Sequence, residues 1–255
     1  VTVVDAPEQA HQARTLLRER LGVSLKAVYL HGSAVSQGLH AHSDIDLLVV
    51  VDAPIANETR RELLQVLSAV SAPPGDSRLR PLEVIAFLLR ELDLPAYPAR
   101  AELVFGEWLR EAFEAGRLPE GGADPEFTLM LAQARLEARP LFGPPAGDLL
   151  PAITRQDIRR AIHDSLPILL AALAEDERNV LLTLARMWRT AKDGAFVSKA
   201  RAAEWARPQL SRTASDVLAL AREEYLGARS VDWSNRSVEV QTAALELAQR
   251  IRATL

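Results

Sequence analysis

The sequence predicts a mixed α/β domain over residues 1–150, followed by an all-α helical-bundle domain over residues 151–255. Three observations predict it. Short apolar, β-branched segments alternate with amphipathic helical patterns through the first part of the chain. A Pro- and Gly-rich stretch, Arg139 to Pro151 with Gly143-Pro144-Pro145 and Gly147, interrupts that texture and reads as a linker. Beyond it every periodic segment has helical spacing.

In order, Ala6 to Leu21 has the pattern of an amphipathic helix. Lys26 to Leu30 reads as a short buried strand ended by Gly32, and Ser43 to Asp52 as a second strand, β-branched and closed by Pro54. Asn57 to Ser71 is expected to be a helix with Leu63, Leu64, Leu67 and Val70 on one face and Asn57 as its N-cap. Pro73 to Asp76 is a loop, Pro81 to Leu89 a third strand and Leu103 to Phe105 a short fourth. After the linker, Thr154 with Asp157 gives a capping signal, and Ile158, Ile162, Leu166, Leu169 and Leu173 follow helical spacing. Four more helices are expected over 176–193, 198–207, 213–226 and 234–254.

Composition narrows the function classes. The chain has 255 residues, 48% of them hydrophobic and 25% charged, the balance of a globular protein with a sizeable core. No run of ~18 apolar residues suggests a membrane span, and the first residues lack the basic start and apolar stretch of a signal peptide. With no cysteine, disulfides, thiolate catalysis and Cys-type zinc sites are excluded, and a cytoplasmic location is expected. The formal charge of −4, without any Lys/Arg block interleaved with aromatics, argues against a nucleic-acid partner. Mild acidity suits a small cationic substrate. A monomer is expected.

One constellation carries chemistry. Asp44 and Asp46 are two apart on an expected strand, so both carboxylates fall on one face, where they repel unless neutralised. A divalent cation such as Mg²⁺ does this, taking one or two carboxylates plus phosphate oxygens, and two such ions bridge a triphosphate. Upstream, Gly32-Ser33 follows the first strand. Glycine lets the backbone approach a phosphate closely, and the Ser33 hydroxyl and nearby N–H groups donate to phosphate oxygens. Ser43 directly precedes Asp44. Asp-x-Asp and Gly-Ser are each common in proteins without such chemistry; their combination, with strands on both sides, points to nucleotide and metal. His11, His31, His40, His42 and His163 show no metal-binding spacing.

Leu30-His31-Gly32-Ser33-Ala34 followed by His42-Ser43-Asp44-Ile45-Asp46-Leu47-Leu48-Val49 resembles the signature of the DNA polymerase β nucleotidyltransferases. Leu82-Glu83-Val84, Tyr97-Pro98-Ala99, Phe105-Gly106-Glu107-Trp108, Asp176 to Leu181, Lys199 to Trp205 and Tyr225-Leu226-Gly227, in that order, extend the resemblance over most of the chain to the adenylyltransferases that act on streptomycin and spectinomycin. The resemblance implies a mixed-sheet nucleotidyltransferase domain, ATP as co-substrate and two Mg²⁺ on Asp44 and Asp46. Glu83 would be the general base toward a drug hydroxyl. Gly32, Ser33, Ser43, Glu126, Arg186, Lys199 and Tyr225 would bind the nucleotide, and Glu107, Trp108 and Asp176 the drug, by ion pairing and ring stacking. The residues alone allow plainer readings: Glu83 as a charge on an edge strand, Arg186 and Lys199 as solvated helix residues, Tyr225 and Trp108 as core aromatics, Asp176 as an N-cap.

Two departures bear on the substrate. Members accepting streptomycin carry Trp and Asp ahead of the Asp-Glu-Arg-Asn match, where ungapped counting gives Pro167 and Ala172. This favours spectinomycin over streptomycin. Glu126 stands where many relatives have Asp. The expected activity is therefore an ATP- and Mg²⁺-dependent O-adenylyltransferase of aminocyclitol or aminoglycoside antibiotics. A nucleotidyltransferase modifying a protein or another small molecule, or a non-catalytic nucleotide-binding module, are the alternatives.

Overall fold

The computed structural model describes residues 6–36, 38–39, 43–76, 78–93, 96–119 and 121–255. His40, His42 and the first five residues lie outside them. The chain divides into two compact units, 1–153 and 154–255. No helix among the described residues is long and apolar enough to cross a membrane.

The first unit is built on a mixed five-stranded sheet. Its strands are β1 (Leu25–His31), β2 (Ile45–Val51), β3 (Leu82–Leu88), β4 (Leu103–Phe105) and β5 (Arg139–Phe142), in the order β4-β3-β2-β1-β5. The β2–β3 pair is parallel and the others antiparallel. Alternation along each strand sorts side chains onto two faces. On one, Val28, Leu30, Ile45, Leu47, Val49, Val84 and Ala86 pack with Ala10, Ala13 and Leu17 of α1 (Glu8–Leu21) and Leu63, Leu64 and Leu67 of α3 (Asn57–Ala69). On the other, Tyr29, Leu48, Val50, Ile85 and Phe87 meet Leu131 and Ala134 of α6 (Pro125–Glu137) and Ala146 of α7 (Ala146–Leu149). Strands covered on both faces read as near-continuous apolar runs, which is why β1 to β3 are visible in the sequence. The remaining short helices are α2 (Ser33–Ser36), α4 (Leu89–Asp93) and α5 (Arg110–Glu114).

Two expectations are corrected. Arg139 to Phe142, read as linker, is the edge strand β5, with Pro140 opposite Tyr29. An edge strand tolerates a proline because one side of its ladder needs no donor. Asn57 is the first residue of α3, not its cap; the cap position is Ala56, without a side-chain capping bond.

The second unit contains α8 (Arg155–Ala171), α9 (Glu177–Asp193), α10 (Lys199–Ala206), α11 (Arg212–Tyr225) and α12 (Ser237–Arg252). The Thr154 hydroxyl accepts the Asp157 N–H at 3.0 Å, the capping bond the sequence signals. Helix α9 is central: Val180, Leu181, Leu182, Leu184, Ala185, Met187, Trp188 and Ala191 are all buried, and the four other helices pack against it. Pro167 lies inside α8 and Ala172 caps its C-terminus.

Candidate active site

The first unit concentrates polar groups at one rim of the sheet, on the face covered by α6. In register, His31 stands opposite Asp46, and Asp46 stands beside Glu83. Partners in register share a face, so an imidazole and two carboxylates form one row across three strands. The next row inward is Tyr29, Leu48 and Ile85, all buried and apolar save for the tyrosine hydroxyl. Polarity thus switches within one pleat. Glu83 sits on an interior strand, not on an edge. The solvent-exposed edge reading of Glu83 therefore loses its basis.

Gly32 closes this rim. Its φ is +66°, and a Cβ added there would stand 2.0 Å from Oδ2 of Asp46. The carboxylate therefore lies directly against the Gly32-Ser33 turn, where α2 begins, with the Val35 and Ser36 N–H groups closing back on the Gly32 carbonyl. Strand β2 begins at Ile45, whose N–H bonds the Pro81 carbonyl at 2.9 Å. Asp44 and the buried Ser43 thus lie just ahead of the strand, at its mouth. Among the described residues no three His, Cys, Asp or Glu gather as a metal cage. An Asp pair at this rim, with one carboxylate pressed onto a glycine turn, instead fits a cation that completes its shell with phosphate oxygens.

Two residues here escaped sequence reasoning. Burial lowers the His31 pKa to about 4, so its ring beside Asp46 is neutral at neutral pH. The signal was parity: His31 shares a face with Ala27 and Tyr29. Arg80 donates from Nη1 to the Ser43 carbonyl at 3.0 Å, and its backbone N–H bonds Gln9 at 3.1 Å, fixing the segment that leads into Asp44. Nothing in the sequence near Arg80 announces this.

Beyond β3, Trp108 is 61% exposed, against the expectation for a core aromatic. Its indole lies on Gly106, where a Cβ would stand 2.2 Å from the ring. Phe105 pairs with Val84, so Gly106, still extended, follows opposite Glu83 and its open face is the Glu83 face. Glu107 is different: its side chain is only 6% exposed, and Arg110 Nε donates to Oε2 at 2.6 Å. Burial would raise its pKa, but the hydrogen bonds from Arg110 and Ser71 outweigh that and hold the carboxyl below its ordinary value. Glu126 is exposed in the first turn of α6, the helix covering the same sheet face.

The second unit gathers its own group. Asp176 takes the N-cap position of α9 without making a capping bond; both its oxygens accept from Asn179 Nδ2, at 3.0 and 2.9 Å. Lys199 Nζ donates to Asn179 Oδ1 at 3.0 Å and lies 5.9 Å from the centre of the Tyr225 ring. Asn179, part of the matched segment but given no role from the sequence, joins Asp176 to Lys199. Arg186 is half-buried, two helical turns along α9 from Asn179 and on the same side.

A mixed sheet with paired aspartates after a glycine turn, and a carboxylate on the next strand, defines a nucleotidyltransferase of the polymerase β type. The family model "Polymerase beta, Nucleotidyltransferase" matches residues 15–88, and "Aminoglycoside adenylyltransferase, C-terminal domain" matches 148–250. The chain is 40% identical over 250 residues to a spectinomycin 9-adenylyltransferase of Staphylococcus aureus, covering 98% of this chain and 96% of that one. It is 36% identical over 242 residues to the aminoglycoside (3'') (9) adenylyltransferase of Escherichia coli, covering 94% and 92%. The crystal structure of spectinomycin adenyltransferase AAD(9) from Enterococcus faecalis with ATP and spectinomycin superposes with a TM-score of 0.92 at 32% identity, covering 97% of this chain and 100% of that one. The chain belongs to the aminoglycoside adenylyltransferase family.

Proposed function

We propose that the protein transfers the adenylyl group of ATP to a hydroxyl of spectinomycin. The observation that carries the reading is the in-register pair Asp46 and Glu83 on adjacent parallel strands, which sets an anion for a metal beside an anion for a proton. The names and bound ligands of the relatives support ATP and spectinomycin as the two substrates. The need for ATP assigns the reaction to the cytoplasm.

Asp44 and Asp46 would hold Mg²⁺, which when bound neutralises phosphate charge and polarises the α-phosphate. Ser33, Ser43 and the Gly32 turn bind phosphate oxygens, and Glu126 serves the nucleotide from α6. Glu83 accepts the proton of the drug hydroxyl as that oxygen bonds to the α-phosphorus. The bond from the α-phosphorus to its bridging oxygen breaks, and pyrophosphate leaves with the negative charge. Arg186 and Lys199 stabilise that charge, and Tyr225 flanks the nucleotide. The Arg186 side chain makes no hydrogen bond or ion pair among the described residues, which leaves its guanidinium for an anion. Trp108 presents an open aromatic face to the drug ring, and Asp176 a carboxylate to an amine.

The test is mass spectrometry of spectinomycin and of streptomycin after incubation with ATP and Mg²⁺. Spectinomycin should gain one adenylyl group. Pro167 and Ala172 lead us to expect no gain on streptomycin. Glu83→Gln should abolish transfer while leaving ATP binding intact; normal turnover by that variant would remove Glu83 as the base.

A further inference from the structure

We propose that Glu107 is a positioning residue which, through Ser71 and Arg110, supplies the missing end of the β3–β4 ladder and so sets Glu83 and Trp108. This rests on the reading of Glu83 as the base. The β4 partners of β3 run Val84 with Phe105, Ile85 with Val104 and Ala86 with Leu103. Continued outward, Gly106 falls opposite Glu83 and Glu107 opposite Leu82. The backbone cannot continue the ladder, because Glu107 to Leu109 turn into a 3-10 helix. The buried N–H of Leu82 would then lack the acceptor that a neighbouring strand provides, and an unmet buried donor is costly.

Side chains fill the gap. The Leu82 N–H donates to Ser71 Oγ at 3.0 Å, and the Ser71 hydroxyl donates in turn to Glu107 Oε1. Ser71 is 4% exposed and sits just past the end of α3. Arg110 completes the relay. It grips both Glu107 oxygens, with Nη2 on Oε1 at 2.8 Å, and reaches the carbonyls of Ser71 and Ser68 at 3.1 and 3.2 Å. Through Ser71 and Arg110, one carboxylate in the turn after β4 is therefore tied to the end of α3 and to the first residue of β3. Glu83 is the next residue on β3, and Trp108 the next after Glu107. The base and the exposed indole are each one residue from an atom this relay holds.

A carboxylate so enclosed has no oxygen facing a drug amine, which distinguishes this role from direct contact. The two differ in kinetics. Loss of a positioning group lowers kcat with little change in KM, whereas loss of a substrate contact present in both ground and transition states raises KM. We expect Glu107→Gln and Ser71→Ala each to lower kcat for spectinomycin adenylylation about 10- to 100-fold, with KM for drug and for ATP within about twofold of wild type. The double variant should be little worse than the poorer single one, since groups acting as a unit do not add. In both variants the Leu82 amide should exchange with deuterium at least ~10-fold faster. A raised drug KM with unchanged kcat in Glu107→Gln would overturn the proposal in favour of direct contact. Wild-type kcat, or wild-type exchange at Leu82, in Ser71→Ala would overturn it too. If Glu107→Gln does not fold, Ser71→Ala carries the same tests, since Ser71 is too deeply enclosed to touch substrate. A wild-type chain that adenylylates no aminocyclitol would count against the reaction; the relay would then stand or fall on the Leu82 exchange alone.

Discussion

Gly32 does two separable things. Its φ of +66° lies in the left-handed region, and its bare α-carbon leaves room for Oδ2 of Asp46, 2.0 Å from where a Cβ would stand. Gly22 shares only the first property: its φ is +54°, and a Cβ added there would meet none of the described residues within 4 Å. Substituting either by alanine costs about 1–2 kcal/mol of backbone strain, which in a protein of this size lowers Tm by roughly 2–8 °C. Only at Gly32 must a carboxylate also move. Displacing a reacting group by ~1 Å costs about 10²-fold in rate. Gly32→Ala should therefore lose at least about 10²-fold in kcat, whereas Gly22→Ala should keep its kcat and lose only stability. Steady-state kinetics beside thermal unfolding checks this. Equal losses of activity in the two would show that the Asp46 contact is incidental.

At the scale of elements, the turn after β4 presents the surface that the proposed function gives to the drug. Gly106 is extended and lies under the Trp108 indole, so the ring rests on a flat patch on the Glu83 face. In Gly106→Ala the new methyl, 2.2 Å from the ring, must push it aside. The backbone tolerates alanine at this φ, so the fold should survive. Drug KM should rise about tenfold, ~1.4 kcal/mol, with the KM for ATP unchanged, and Trp108→Ala should show a rise of similar size. A Gly106→Ala enzyme with unaltered drug KM would mean that the ring does not act from this position. Much of this was legible in the sequence, and the rest was hidden for physical reasons. Strands β1 to β3 announce themselves because both their faces are covered, and Gly32-Ser33 with Asp44-Ile45-Asp46 marks the polar rim of the sheet. Helix α6 was missed because its pattern is blurred: Thr128 is buried while Leu136 is 73% exposed. Strand β5 was missed because it is four residues long and carries Pro140. The row His31, Asp46, Glu83 depends on strand register, which is fixed by tertiary pairing and not by local spacing. The relay of Ser71, Glu107 and Arg110 joins three elements for the same reason, so in the sequence Glu107 reads only as a carboxylate for the drug.

At the scale of the whole chain, the proposed function sets a problem of charge. The rim of the first unit carries Asp44, Asp46 and Glu83, the carboxylates to which the proposal brings a triphosphate, with Arg80 bonded to the Ser43 carbonyl nearby. An anionic nucleotide added to that rim meets like charge, and the chain as a whole carries −4. Two conditions relieve the repulsion: divalent cations on the aspartates, and cationic side chains for the outer phosphates. Arg186 and Lys199 are the cations the reading assigns, and both belong to the second unit, in the segment matched by a different family model. Nucleotide binding should therefore be felt in both units and should require the metal. With ATP and Mg²⁺ at about 100 times Kd, the folded state gains about 2.7 kcal/mol. Hydrogen–deuterium exchange should slow in peptides spanning 31–36, 43–48 and 82–86, and also in those spanning 179–190, 199–203 and 222–226. Chelation by EDTA should reverse the protection in both sets. Lys199→Ala should weaken ATP binding by about tenfold, ~1.4 kcal/mol, and remove protection chiefly from the second set. Protection confined to the first unit would strike Arg186, Lys199 and Tyr225 from the nucleotide site, and protection that survives EDTA would do the same for the metal on Asp44 and Asp46.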